Sequence, residues 1–116
     1  MRYMLLIYSD EMAESQRTPG QNEAMMAEYG RFTQEVRQRG SFRNGDALQP
    51  TSTATTVRIQ NGKTIATDGP FAPTTVQLGG FYILDCQHLD EAIELAAKIP
   101  AAKEGAVEIR PILGFG

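Results

Sequence analysis

Tyr3-Met4-Leu5-Leu6-Ile7-Tyr8 near the start of the chain and Phe81-Tyr82-Ile83-Leu84 far downstream are the runs whose reading decides the fold. Each is short and unbroken, and each is bounded by residues that stop regular structure, Ser9-Asp10-Glu11 after the first and Gly79-Gly80 before the second. A brief apolar run of this kind reads as a buried strand rather than an amphipathic helix. A strand covered by helices on one side and wetted on the other alternates apolar and polar residues. Neither run alternates, so both faces of both strands are expected to be covered.

The intervening and following segments supply the other elements. Thr18-Pro19-Gly20-Gln21 reads as a helix start, with Thr18 as cap, Pro19 in the first turn and Gln21 as the capping-box partner. Met25, Met26, Tyr29, Phe32 and Val36 then recur at helical spacing until Gly40. Gly30 inside this helix is read as a mark of close packing. Residues 41–53 are irregular with room for one short strand. Leu89, Ala92, Ile93, Ala96 and Ile99 make the stripe of a second helix ended by Pro100, and Val107, Ile109 and Pro111-Ile112 form a last strand.

Thr55–Gln60 and Lys63–Thr67 form a hairpin through Asn61-Gly62. A two-residue turn would pair Ile59 with Thr64 and put Ile65 on the face of Arg58. A bulged three-residue loop would gather Val57, Ile59 and Ile65 on one face, and is the expected form.

The order is β-α-β-β-α-β with an added hairpin, an α+β ferredoxin-like sheet with both helices on one face and the two apolar strands central. The 116-residue chain, read as one domain over 1–116, has no third layer for the other face. A second copy, sheet against sheet about a two-fold axis, is the expected cover, making the protein a homodimer with clefts between sheet and helix.

Composition excludes several classes. Hydrophobic residues are 41% and charged residues 22%, as in ordinary globular proteins, and the net charge is −3 with no basic block. Binding to nucleic-acid phosphates is not expected. The apolar start is too short for a signal peptide, and nothing reaches membrane-spanning length, so the expected location is the cytoplasm. Cys86 is the only cysteine and His88 the only histidine, so neither a disulfide nor a metal site is expected, and no cofactor. Cys86 reads as a small buried hydrophobe, and His88 as a solvent-facing residue at the cap of the second helix.

The chemistry is expected around Ala66-Thr67-Asp68-Gly69-Pro70-Phe71-Ala72 and Gln77-Leu78-Gly79-Gly80, a carboxylate on a tight turn beside a central strand. Asp68 can hold its own turn through the following amides. It can also act as a general base, with Tyr29, Tyr8 or Arg43 as a partner within hydrogen-bonding reach of a substrate. Tyr29 has the competing role of a packed core residue, and Gly79-Gly80 that of a bend. Asp10 and Glu11, after the first strand, could face a cleft mouth, but read as a solvated loop. The expected set is Asp68 and Tyr29 for catalysis, with Tyr8, Arg43, Gly69, Pro70, Phe71, Gln77 and Gly80 for ligand binding.

The strings Tyr3–Tyr8, Thr67-Asp68-Gly69-Pro70-Phe71, Gln77-Leu78-Gly79-Gly80-Phe81-Tyr82 and Leu89-Asp90-Glu91-Ala92 resemble the YCII-related family and, within it, the DGPF-domain branch. The resemblance runs from the first strand to Val107-Glu108-Ile109-Arg110-Pro111. It implies a dimeric α/β-barrel of ferredoxin-like subunits and, in some members, acid–base chemistry by a His–Asp pair on small unsaturated or ring-derived acids. This sequence departs from that pattern: Tyr29 stands where the family histidine best aligns, and Pro73-Thr74-Thr75-Val76 replaces the usual Glu-Thr-Lys-Glu. Three functions are therefore carried forward. The leading one is binding of a small organic ligand by the Asp68 loop, the next a cofactor-free lyase or isomerase using Asp68 and Tyr29. The third, resting on the resemblance alone, is a regulatory partner of an extracytoplasmic-type sigma factor.

Overall fold

The computed structural model describes residues 1–114. Arg2–Asp10 forms β1, Glu11–Ser15 α1 and Pro19–Gln38 α2, followed by β2 at Phe42–Ala47 and a 3-10 turn at Thr51–Thr53. Then come β3 (Thr55–Gln60), β4 (Lys63–Asp68), β5 (Val76–Asp85), α3 (Leu89–Ala96), α4 (Ala101–Glu104) and β6 (Ala106–Pro111). The main sheet is antiparallel in the order β2-β5-β1-β6, the ferredoxin-like arrangement, with the two apolar strands in the middle. The β3–β4 hairpin is a separate two-stranded arm.

Within β1 the side chains divide by parity. Tyr3, Leu5 and Ile7 face a core shared with Tyr82 and Leu84 of β5, Phe32 and Val36 of α2, and Ala92, Leu95 and Ala96 of α3. Both long helices thus lie on one face. On the other, Met4, Leu6 and Tyr8 of β1 and Phe81 and Ile83 of β5 are half-buried. Asn44 and Asp46 of β2 and Glu108 and Arg110 of β6 flank them in register, so this face has an apolar centre and a polar border.

α2 begins as the sequence implies. Thr18 accepts from the Gln21 amide at 3.1 Å and Gln21 accepts from the Thr18 amide at 2.9 Å, closing the capping box. It ends with Gly40 at φ 74° and the Ser41 amide donating to Val36, the left-handed termination that glycine permits. Asp10 is no solvated loop residue, because its carboxylate caps α1 by accepting from Met12 and Ala13. Cys86 is buried, and His88 caps α3 through Nδ1, which accepts from the Glu91 amide at 3.2 Å.

Several expectations are corrected. Met26 is 73% exposed and lies off the buried stripe of α2. Gly30 marks no close packing, since a β-carbon there would meet nothing within 4 Å. In α3 the buried positions are Ala92, Leu95 and Ala96, while Leu89 and Ile93 are half exposed. The arm takes the two-residue turn: Ile59 pairs with Thr64 and Arg58 with Ile65, with Asn61 and Gly62 at φ 50° and 75°. Both faces of the arm are largely exposed, so no core selects a register. The turn chemistry decides, because Asn-Gly populates the doubly left-handed turn whose twist matches a hairpin.

Candidate functional site

A cleft of about 820 Å³ lies between the sheet and the Met25–Tyr29–Thr33 face of α2. The far wall is sheet, with Ile7, Ser9, Gly80 and Tyr82, and Arg17, Glu104, Arg37 and Phe42 complete the rim. Most of this lining is hydrocarbon or aromatic. Its polar centre is a relay of hydroxyls. Tyr82 donates to Thr33 Oγ1 at 3.0 Å, and Thr33 donates onward to the Tyr29 carbonyl at 2.9 Å. Phe32 and Phe42 pack edge-on to the Tyr82 ring at 5.0 and 6.4 Å, fixing its direction.

Burial raises the Tyr29 phenol above its ordinary value of 10.0, and the nearby Tyr82 adds to this against an opposing backbone hydrogen bond at Ala101. The group is therefore a neutral donor near pH 7. At the mouth, Arg17 is paired with Glu104, and the Arg37 guanidinium sits 4.3 Å over the Phe42 ring.

A second hollow of about 620 Å³ lies at the base of the arm, lined by Tyr8, Leu48, Pro70, Phe71, Val76 and Gln77 among others. Gln77 Nε2 donates to the carbonyls of Ala72 and Thr74, both at 2.9 Å, so this amide braces the loop. Arg58 of the arm lies 5.2 Å over Phe71. Leu48 and Pro50 line both hollows. The dividing segment is anchored by Glu11, whose two carboxylate oxygens accept from the Thr51 amide at 2.8 Å and the Thr51 hydroxyl at 2.7 Å.

The expected site residues are thus distributed between two places. Tyr29 and Gly80 line the cleft, whereas Tyr8, Pro70, Phe71 and Gln77 line the arm-base hollow. Asp68 and Gly69 line neither, and Asp68 is exposed at the end of β4. Arg43 lies at the opposite end of β5 from the arm, paired with Asp85 at 3.1 Å. Gly80 has a structural reason to be glycine, because a β-carbon would lie 2.9 Å from the Asp46 carbonyl oxygen. Gly79 is the residue bypassed where the β1–β5 register shifts.

Thr33 and Tyr82 were missed by sequence reasoning, and Glu11, weighed as a cleft-mouth residue but read as solvated loop, lines the cleft. The Tyr29–Thr33 spacing of four did place a hydroxyl on the core-facing side of the helix. The pairing of Glu11 with Thr51 gave no comparable signal, since the two are 40 positions apart. Among the described residues no three His, Cys, Asp or Glu side chains converge on a metal-sized position, and no helix is long and apolar enough to cross a membrane.

Comparison with known proteins adds a family. The model of the YCII-related domain matches residues 1–116. A protein of Rhizobium meliloti (strain 1021), described as uncharacterized, is 37% identical over 114 residues, covering 97% of this chain and 92% of that protein.

Proposed function

This chain belongs to the YCII-related domain family, and from that premise we propose that it is a homodimeric binding protein for a small organic molecule seated between α2 and the sheet. The observation that carries this reading is the Tyr82–Thr33–Tyr29 relay inside a cleft of about 820 Å³ whose exposed lining is mainly apolar, with Glu11, Glu14, Arg17, Arg37 and Glu104 among its charged residues. A concave, mainly apolar site with a few oriented polar groups is the usual form of a small-molecule pocket. Binding is preferred to acid–base chemistry by Asp68 and Tyr29, because only Tyr29 reaches the cleft.

The second copy belongs on the outer face of the sheet. Met4, Leu6, Tyr8, Phe81 and Ile83 form an apolar centre within a charged border, the pattern of a protein interface. The finer branch, with its Asp68-Gly69-Pro70-Phe71 loop, fits the same picture, since Pro70 and Phe71 border that face beside Tyr8. A lone, buried Cys86 needs no oxidising compartment, which supports a cytoplasmic location.

The test is backbone-amide NMR with 4-methylphenol and 4-methylbenzoate as probes. Saturable shifts centred on Tyr29, Thr33 and Tyr82 are expected, weakened in Thr33→Val. Shifts confined to other surfaces, or no saturable binding, would sink the reading. For the dimer, sedimentation equilibrium of Leu6→Lys should show dissociation at concentrations where the parent chain is paired. A monomeric, fully folded parent chain at micromolar concentration would refute that half.

A further inference from the structure

We infer that the cleft and the arm-base hollow are two chambers of one site for an amphipathic ligand, with a hydroxyl- or carbonyl-bearing head between α2 and the sheet and an unbranched apolar tail against Phe71. The inference rests on the binding reading above and extends it to the ligand's class. Leu48 and Pro50 line both chambers, so the two adjoin along a single short segment. That segment is held in place by Glu11, which lines the cleft, through Thr51, which lines the hollow.

The chambers differ in what they offer. The cleft presents the hydroxyl relay and the neutral Tyr29 phenol. Around the hollow, most of the polar side chains are already used by the protein. Gln77 braces two carbonyls, Thr74 donates to the Val76 carbonyl at 2.6 Å, Thr53 donates to the Pro50 carbonyl at 2.7 Å, and Thr51 is held by Glu11. What remains is mainly hydrocarbon, and it is open to solvent: Phe71 is 74% exposed, Leu48 49% and Val76 41%. Isolated apolar side chains on a surface need no explanation, but three large ones around one concavity do. Each methylene transferred from water onto such a surface contributes binding energy in proportion to its area. A tail lying along the border of the proposed pairing face therefore accounts for exposed groups that the cleft's head group alone leaves unexplained.

The experiment is a titration of the full chain with 4-methyl-, 4-butyl-, 4-hexyl- and 4-octylphenol, followed by calorimetry and backbone-amide NMR. The dissociation constant is expected to fall roughly twofold to fourfold per added methylene over part of the series. Amide shifts should spread from Tyr29 and Thr33 to Phe71, Val76 and Gln77 as the tail lengthens. Phe71→Ala, at an exposed position where truncation leaves the core intact, should abolish most of the length dependence. Leu48→Ala should weaken the long members only. Binding of 4-methylphenol with no gain along the series, or a gain untouched by Phe71→Ala, overturns the two-chamber site and leaves the cleft standing. Failure of every member to bind overturns both.

Discussion

The hydroxyls of Thr33 and Tyr82 lie 3.0 Å apart, linking the middle of α2 to a central strand of the sheet across the candidate cleft. Tyr82 is only 9% exposed, and Thr33 is the acceptor that its phenol uses. Thr33→Val keeps the branched shape and removes that acceptor. A stability loss of about 1–2 kcal/mol is expected in urea denaturation, with the m-value unchanged, since a buried phenol loses its partner. Affinity for 4-methylphenol should drop about fivefold or more at the same time. Parent-like stability together with parent-like binding would show that the relay has neither role.

Alkaline pH should weaken the fold in two stages. Cys86 is pushed above its ordinary value of 9.0, first by burial and then by Glu91 and Asp85. Tyr29 is pushed above 10.0, first by burial and then by Tyr82. For both groups the folded chain holds the proton more tightly than the unfolded chain. Their stabilising contributions are complete below the unfolded values and are lost as pH rises through the folded ones. Denaturation midpoints should begin to fall near pH 9 and fall further above pH 10. Cys86→Ala should remove the first part of that decline and Tyr29→Phe the second. An unchanged profile in both variants would contradict the assignment.

Glu11 ties α1 to the turn that leads into the arm. Glu11→Ala leaves the Thr51 amide and hydroxyl without their acceptor and should cost about 1.5–3 kcal/mol, the range for hydrogen bonds to a charged group. Hydrogen exchange at the Thr51 amide should accelerate at least tenfold, with the amides of β1 and β5 affected only through the global change. Protection at Thr51 equal to that of the parent would mean that other contacts hold the segment.

Two glycines should respond in opposite directions. Gly30 is exposed within α2 and open around its β-position, so Gly30→Ala should stabilise by about 0.5–1 kcal/mol through helix propensity. In Gly80→Ala the new methyl group would lie 2.9 Å from the Asp46 carbonyl oxygen and 3.4 Å from the Ala47 α-carbon. Both are backbone atoms of β2, so the strands must part, at a cost of about 1–3 kcal/mol. Thermal unfolding of the two variants side by side decides the matter.

The unbroken apolar runs around Leu5 and Leu84 were enough to give two central strands, and their lack of alternation marked an outer face that one chain leaves half-covered. Thr18, Gln21 and Gly40 set the limits of α2 because caps are local hydrogen-bonding problems solved within a few residues. The Asn61-Gly62 turn is equally local, and its two-residue form was misjudged by assuming that Ile65 had a core to face. Leu95 is buried while Leu89 and Ile93 are half exposed, a difference that the apolar stripe in the sequence does not carry.

The site lay further from the sequence. Tyr29 reached a cleft as its helix position suggested, but Asp68, its expected partner, stands on an arm that leaves the sheet. The chain by itself determined the strands, the caps and the turn, each governed by neighbours along the backbone. Only the tertiary structure decided that Thr33 meets Tyr82, that Glu11 holds Thr51, and that Leu48 and Pro50 line both the cleft and the hollow at Phe71. Those contacts follow from how helices and sheet pack, and packing angles are set by the shapes of whole faces rather than by any short run of residues.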